Sequence, residues 1–300
     1  MNHNLILNTG FMVNRYNDYD KFFNFLKYLK IDNIQLTVSL FNFNLSNKNY
    51  FKKIDEFKTK SLKNDIKISS IFTDSYTRLN HLSNLDNDIS EYWLKKFMIF
   101  IKTASILDAE NFGSHLGIID MNLPKKMYSI ILNNTIKKWS ILSDFAFNCG
   151  LKSLSWEPMS VSREFGETII NTKKINYLLN KNSSLPIKIC LDVDHGNRQA
   201  SDYEADPYNW LNELAKYSYC LHLKQVKKNY HSSHLGFTRK NNRSGIIKAN
   251  KILSLLKSLN ISNMNLILEH SFKERYSVEK NLKYNLKESI NYWKTHISSF

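Results

Sequence analysis

Cysteine, proline and glycine are all scarce in this chain of 300 residues, which has 3 Cys, 4 Pro and 8 Gly. Without a Pro-rich or Gly-rich tract, and with 42% hydrophobic and 13% aromatic residues, the composition excludes a disordered or fibrous protein. Cys149, Cys190 and Cys220 are too few for a disulfide framework or a CxxC metal site, so we expect a reduced, cytoplasmic protein. The sequence has neither a signal-peptide pattern nor a long apolar run, so we expect neither secretion nor membrane insertion.

Acidic residues are outnumbered, with 27 Asp and Glu against 42 Lys and Arg and a net charge of +15. Such a balance would suit nucleic acid or another polyanion. The excess is carried by Lys scattered along the chain beside much Asn and Ile, and no block of five or six like charges occurs. We therefore interpret most of the charge as solvated surface shaped by coding bias, and we do not expect nucleic acid as the partner.

Short apolar runs alternate with longer segments of helical period along the whole chain. Eight runs are typical of buried strands: Leu5 to Met12, Asn33 to Leu40, Ile66 to Phe72, Asn111 to Leu116, Lys152 to Glu157, Ile187 to Val193, Cys220 to Lys224 and Leu266 to His270. Each is followed by a predicted helix: Tyr19 to Leu29, Tyr50 to Lys63, Ser90 to Leu107, Lys125 to Cys149, Glu167 to Leu179, Pro207 to Lys216, Ile246 to Leu259 and Val278 to Ile297.

Eight successive strand-helix units without a linker predict a single (β/α)8 TIM barrel that forms one catalytic domain over residues 1–300. A doubly wound sheet is the alternative, but no GxGxxG or GxxxxGK[ST] motif follows a strand. The aromatic-rich segment from Tyr284 to Phe300 has two interpretations. It is either the eighth helix that closes the barrel, which we favour, or a contact face of a homo-oligomer.

Strands five to eight each end in an acidic residue or a histidine, namely Glu157, Asp192, His222 and Glu269. One such residue alone is usually a helix cap or a solvated loop residue, but in a barrel these four ends meet at one mouth. Buried carboxylates at this density repel one another unless a cation lies between them. Three carboxylates and one imidazole predict a site for one divalent metal ion, Mn²⁺ or Mg²⁺ in preference to Co²⁺ or Zn²⁺.

The order Glu, Asp-x-x-His, His, Glu at the ends of strands five to eight resembles the xylose isomerase-like TIM barrels, in particular the sugar and sugar-phosphate 3-epimerases that interconvert ketoses. The local sequences are similar to the tetrulose-phosphate branch, which implies a place in erythritol catabolism. The segments that carry this resemblance are Trp156 to Ser160, Arg163 to Gly166, Cys190 to Gly196, Leu221 to Gln225 and Leu268 to Phe272.

The resemblance implies a role for each strand-end residue. Glu157 and Glu269 would be metal ligands and also the paired acid and base, one removing the C3 proton and the other returning it on the opposite face through an enediolate. Asp192 and His222 would complete the metal shell. His195, three residues after Asp192, would contact the substrate hydroxyl or carbonyl group.

The sequence departs from the epimerases of non-phosphorylated ketoses at one position, because Lys228 stands where they carry Arg, six residues after the metal-binding His. We expect a sugar phosphate whose phosphate group is bound by Lys224, Arg163, His234 and Arg275, although these residues could instead form an ordinary solvated rim. His115 ends strand four and is expected either to contact the substrate or to be a buried core histidine.

Three other functions remain as alternatives. An aldose-ketose isomerase of a sugar or sugar phosphate would use an enediolate at the same site. A metal nuclease similar to endonuclease IV shares the barrel, but the predicted ends of strands two and three have no His, and His231 and His234 lack the Asp-x-His spacing. A non-catalytic binding barrel would leave the four strand-end residues unexplained.

Overall fold

A computed structural model describes residues 2–74, 77, 82–120, 122–195, 201–227, 234–271 and 279–300 of the chain. Its eight strands are parallel and close into a barrel in chain order, with the last strand paired to the first. The strands are β1 (Asn4–Asn8), β2 (Asn33–Thr37), β3 (Lys67–Phe72), β4 (Asn111–His115), β5 (Ser153–Glu157), β6 (Ile187–Asp192), β7 (Ser218–Leu223) and β8 (Asn265–Leu268). The predicted (β/α)8 TIM barrel is confirmed.

Helices follow every strand. They are α1 (Tyr19–Leu29), α2 (Asn47–Lys63), α3 (Asn87–Ile106), α4 (Lys125–Asn148), α5 (Ile169–Asn180), α6 (Asp202–Ala205), α7 (Pro207–Leu214), α8 (Arg239–Ser244), α9 (Ala249–Ser258) and α10 (Glu279–Ser298). The sequence did not predict α6 and α8, because neither has the repeating apolar face that marks a helix, and no residue of either is buried.

The first two strands are shorter than predicted. Expected to reach Met12 and Leu40, they end at Asn8 and Thr37, and the apolar residues beyond them form single 3₁₀ turns, Gly10–Met12 and Val38–Leu40. After β1 the turn is set by the Asn8 side chain, whose Oδ1 accepts a hydrogen bond from Gly10 N at 2.8 Å. Apolar content alone cannot separate a buried turn from a buried strand.

Side chains along each strand alternate between the barrel interior and the surrounding helices. A small cluster of Ile6, Phe72, Cys190, Cys220 and Ile267 lies apart from the main core and fills the interior. Three of its members precede Asp192, His222 and Glu269 by two positions, so the strand period turns these three polar side chains inward as well. The polar site therefore lies directly above an apolar layer inside the barrel.

The C-terminal helix α10 is the eighth barrel helix, as favoured from the sequence. Leu282, Leu286, Ile290 and Trp293 are all buried, and the helix packs against α1 and α9. Its apolar face is therefore used inside the protein. Among the helices that the structure describes, none is both long and apolar enough to cross a membrane.

Candidate active site

The strand register brings the predicted residues to one end of the barrel. His115 and Glu157 are register partners at the ends of β4 and β5, and Asp192 and His222 are partners at the ends of β6 and β7. Glu269 follows β8 directly, and its backbone N donates to Leu223 O at 3.0 Å. Above these residues lies a cavity of about 510 Å³ at the mouth.

Glu157, Asp192, His222 and Glu269 converge as predicted. His222 Nδ1 lies 3.4 Å from Glu157 Oε1 and 3.6 Å from Glu269 Oε2. Potential ligand atoms of Asp192, His222 and Glu269 all lie within 4.8 Å of one another, and the same holds for Glu157, Asp192 and His195. The two groups share Asp192.

Lys224 enters the same cluster from β7, two residues beyond His222. Its Nζ lies 2.5 Å from Asp192 Oδ2 and donates to Glu269 Oε2 at 2.7 Å. The residue is 1% exposed, so the ammonium group neutralises these carboxylates out of contact with water. The chain thus supplies a cation of its own between these carboxylates, where sequence analysis expected a divalent metal ion.

The buried charges change one another's protonation. Burial alone would raise the pKa of Glu157, but the neighbouring rings of His115 and His222 hold it well below its usual value. Burial also opposes ionisation of Glu269, yet the charge of Lys224 lowers its pKa to about 2. For His222 burial favours the neutral ring, but Glu269 and Glu157 raise the pKa to about 10. Both glutamates are therefore ionised at neutral pH.

Two further histidines contact the carboxylates of this cluster. His115 Nε2 lies 3.2 Å from Glu157 Oε2, and His195 places Nδ1 3.6 Å from Glu157 Oε1 and Nε2 3.4 Å from Asp192 Oδ2. His195 also lies with Nδ1 3.1 Å from Pro158 O. Both histidines line the cavity. Sequence analysis expected His195 to contact substrate and expected His115 either to do so or to be a buried core histidine.

Only some of the residues expected to bind phosphate line the cavity in the described part of the structure. Lys224 and His234 line the cavity, and Lys224 Nζ lies 3.1 Å from His234 Nδ1. Burial and the nearby Lys224 charge lower the pKa of His234, so its ring contributes no fixed positive charge. Arg163 belongs to the 3₁₀ turn Ser162–Glu164 and is not among the cavity-lining residues. Arg275 lies outside the described residues.

Sequence analysis missed several residues of the cavity wall: Asn8, Arg15, Thr37, Asp74, Glu164 and His270. Arg15 and Glu164 lie in loops between strand and helix, where no periodic pattern distinguishes a site residue from a surface residue. The signal for Glu164 was its place in the segment that carries the family resemblance. Burial lowers the pKa of His270 to about 4, so this ring is neutral at neutral pH.

The residues present fit a divalent metal ion. The carboxylate oxygens of Glu157, Asp192 and Glu269 are hard donors, and a buried imidazole completes the set. Within the described part of the chain His222 Nδ1 forms no hydrogen bond, although it is fully buried and faces two carboxylates. A buried nitrogen in that position is explained if it is a ligand.

Fold and site together define an enzyme that resembles the xylose isomerase-like barrels. Over 301 residues the chain is 28% identical to D-erythrulose 1-phosphate 3-epimerase from Brucella abortus (strain 2308), an alignment that covers 98% of this chain and 96% of that protein. The resemblance inferred from the strand ends is thus confirmed. No protein-family model matches the sequence.

Solved structures show the same fold at lower sequence identity. A putative xylose isomerase from Rhodospirillum rubrum superposes with a TM-score of 0.86 at 15% identity, covering 98% of this chain and 99% of that one. D-psicose 3-epimerase from Clostridium cellulolyticum H10 gives a TM-score of 0.72 at 15% identity with the same coverage. These similarities show a common barrel architecture.

Proposed function

We propose that this protein is a divalent-metal-dependent 3-epimerase of a short phosphorylated ketose, a tetrulose phosphate such as D-erythrulose 1-phosphate. The observation that carries the proposal is the convergence of the Glu157 and Glu269 carboxylates on one buried nitrogen, His222 Nδ1, at 3.4 and 3.6 Å. Epimerisation needs two bases that reach one carbon from opposite faces. The full-length similarity to an erythrulose phosphate epimerase supports this choice of substrate.

Glu157, Asp192, His222 and Glu269 would hold the metal, with Mn²⁺ or Mg²⁺ preferred by the oxygen-rich donor set. When bound, the ion would polarise the carbonyl and the neighbouring hydroxyl group of the substrate. This polarisation would lower the activation free energy for forming the enediolate. Asp192 and Glu269 are also contacted by Lys224, so this ammonium group must share or yield its place when a second cation binds.

The proton transfer is assigned to the two glutamates. One ionised carboxylate removes the proton from C3. The other takes up a proton from water and delivers it to the opposite face of the enediolate, which inverts the configuration. His115 and His195 contact these ligands and line the cavity, so we assign them to the substrate's carbonyl and hydroxyl oxygens. Cationic and hydrogen-bonding groups at those oxygens stabilise the developing negative charge.

The phosphate group is assigned to Arg15, in the loop after β1. Arg15 lines the cavity and donates from one guanidinium nitrogen to Phe11 O at 2.7 Å. Lys224 is the other cation with a fixed charge on the described cavity wall, and it contacts Asp192 and Glu269. A guanidinium group presents five donors in a planar fork that matches phosphate oxygens. The earlier expectation for Arg163 gains no support from its position.

The decisive experiment is incubation of the purified, Mn²⁺-supplied protein with tetrulose and pentulose phosphates in D₂O, with NMR used to locate the deuterium. Deuterium at C3 together with the second epimer is the expected result. Deuterium at C1 or C2 would instead identify the aldose-ketose isomerase that the same site could support. Absence of deuterium from every sugar phosphate would contradict both activities.

A further inference from the structure

We propose that Gln35 is a positioning residue that fixes the tautomer of His222, so that Nδ1 is the nitrogen available to the metal. Gln35 lies on β2, on the opposite side of the imidazole ring from the carboxylates. The inference rests on the metal site of the proposed function. It adds a series of hydrogen bonds between buried side chains, which begins at a backbone amide and ends at the proposed metal ligand.

The chain of contacts begins at Gly10, whose backbone N–H can only donate. It donates to Asn8 Oδ1 at 2.8 Å, which fixes the orientation of the Asn8 amide. The Asn8 Nδ2 group must then face the other way, and it donates to Gln35 Oε1 at 2.7 Å. Oxygen and nitrogen of an amide are distinguished by their partners, and here the first partner is a backbone group that cannot reverse its role.

The same logic continues through Gln35. Its Nε2 donates to Ser70 Oγ at 3.2 Å, and its Oε1, already accepting from Asn8, lies 2.8 Å from His222 Nε2. An oxygen with two lone pairs can accept both hydrogen bonds. Gln35, Ser70 and His222 are fully buried, so water does not replace any of these partners.

The consequence falls on the other nitrogen of His222. Because Nε2 must carry a proton to donate to Gln35, the nitrogen of His222 whose lone pair can bind a metal ion is Nδ1, which faces Glu157 and Glu269. The opposite tautomer would direct two lone pairs at each other across the 2.8 Å contact between Nε2 and Gln35 Oε1. Outer partners of this kind change metal affinity by about 10–100-fold when they are removed.

The test compares Gln35→Met, which has similar length but no acceptor, with Gln35→Glu, which keeps an oxygen facing His222. Binding of Mn²⁺ to the metal-free protein is measured by titration calorimetry, without substrate. We expect Gln35→Met to bind Mn²⁺ about 10–100-fold more weakly and Gln35→Glu to retain at least the original affinity. Thermal melts in EDTA show whether each variant is folded.

Each outcome decides one question. If folded Gln35→Met binds Mn²⁺ as tightly as the original protein, or if Gln35→Glu is weakened equally, the inference is wrong and Gln35 only fills space. If the original protein itself binds no Mn²⁺, the metal site of the proposed function fails first. Should Gln35→Met not fold, Asn8→Leu removes the group that orients the Gln35 amide, and unchanged Mn²⁺ affinity in that variant would overturn the inference.

Discussion

Lys224 Nζ lies 2.5 Å from Asp192 Oδ2, so a buried ammonium group occupies part of the space between the carboxylates proposed to bind a metal. The neighbouring acidic groups raise the pKa of this ammonium against the effect of burial, and it stays charged. The metal-free cluster is thereby held together by the chain itself. A divalent ion and Lys224 then compete for the same carboxylate oxygens, so removing Lys224 should change how strongly the metal ion stabilises the protein.

Substitution Lys224→Met should destabilise the metal-free protein and increase its response to metal. Removing one partner of a buried ion pair costs about 3–5 kcal/mol, because the fully buried Asp192 carboxylate would lose the ammonium group that lies against it. Thermal melts in EDTA and in Mn²⁺ measure both effects, and the Mn²⁺-induced rise in melting temperature should be larger in the variant. Lys152→Met, which breaks an exposed pair with Glu110, is the control and should cost less than about 1 kcal/mol. Equal Mn²⁺ shifts in Lys224→Met and the original protein would contradict competition.

The barrel could be predicted because two independent sequence patterns agree: apolar runs alternate with helical segments, and polar residues stand at the ends of the later runs. Strands such as β5, with Leu154 and Trp156 facing the helices and Glu157 facing inward, combine a buried run with a functional residue at the end. Parallel strands in a barrel present these ends at one mouth, so residues distant in sequence could be assigned to one site. The convergence of Asp192, His222 and Glu269 follows from this topology.

Other parts of the site depend on distances that sequence patterns do not contain. Lys224 was recognised as a cation near the mouth, but its contact with Asp192 arises across neighbouring strands. Asn8 and Gln35 are polar residues within short apolar runs, where a single amide has no periodic signal. Their importance appears only when hydrogen-bond partners are followed from strand to strand.

The variants Glu157→Gln and Glu269→Gln should each lose epimerisation by about 10²–10⁴-fold, because each removes one of the two proposed proton carriers. NMR in D₂O measures both conversion to the second epimer and deuterium at C3. A variant that still binds Mn²⁺ should exchange the C3 proton of only that epimer whose proton faces the remaining carboxylate. Glu110→Gln alters a half-exposed carboxylate outside the site and should leave the rate unchanged. Full epimerase activity in either active-site variant would refute the acid-base assignment.

Arg15→Met should affect phosphorylated and non-phosphorylated substrates differently. Loss of charged hydrogen bonds worth about 1.5–3 kcal/mol predicts a roughly 10–100-fold rise in KM for a tetrulose phosphate. The low kcat/KM expected for the free tetrulose should not change, since that sugar has no group for Arg15 to bind. Steady-state kinetics with both sugars provides the measurement, and Arg163→Met is the matched control outside the cavity wall. If kcat/KM fell equally for both sugars, Arg15 would stabilise the loop and would not bind the phosphate group.

Trp293→Ala tests whether α10 closes the barrel. The indole is fully buried and packs edge-on against Phe237 at a centroid distance of 5.3 Å, so its removal should lower the free energy of unfolding by about 3–5 kcal/mol. Urea unfolding followed by circular dichroism measures this loss. Tyr284→Ala, on the exposed side of the same helix, should change stability by less than about 0.5 kcal/mol. If size-exclusion chromatography showed that Tyr284→Ala splits an oligomer, the helix would serve as an interface in addition to its place in the core.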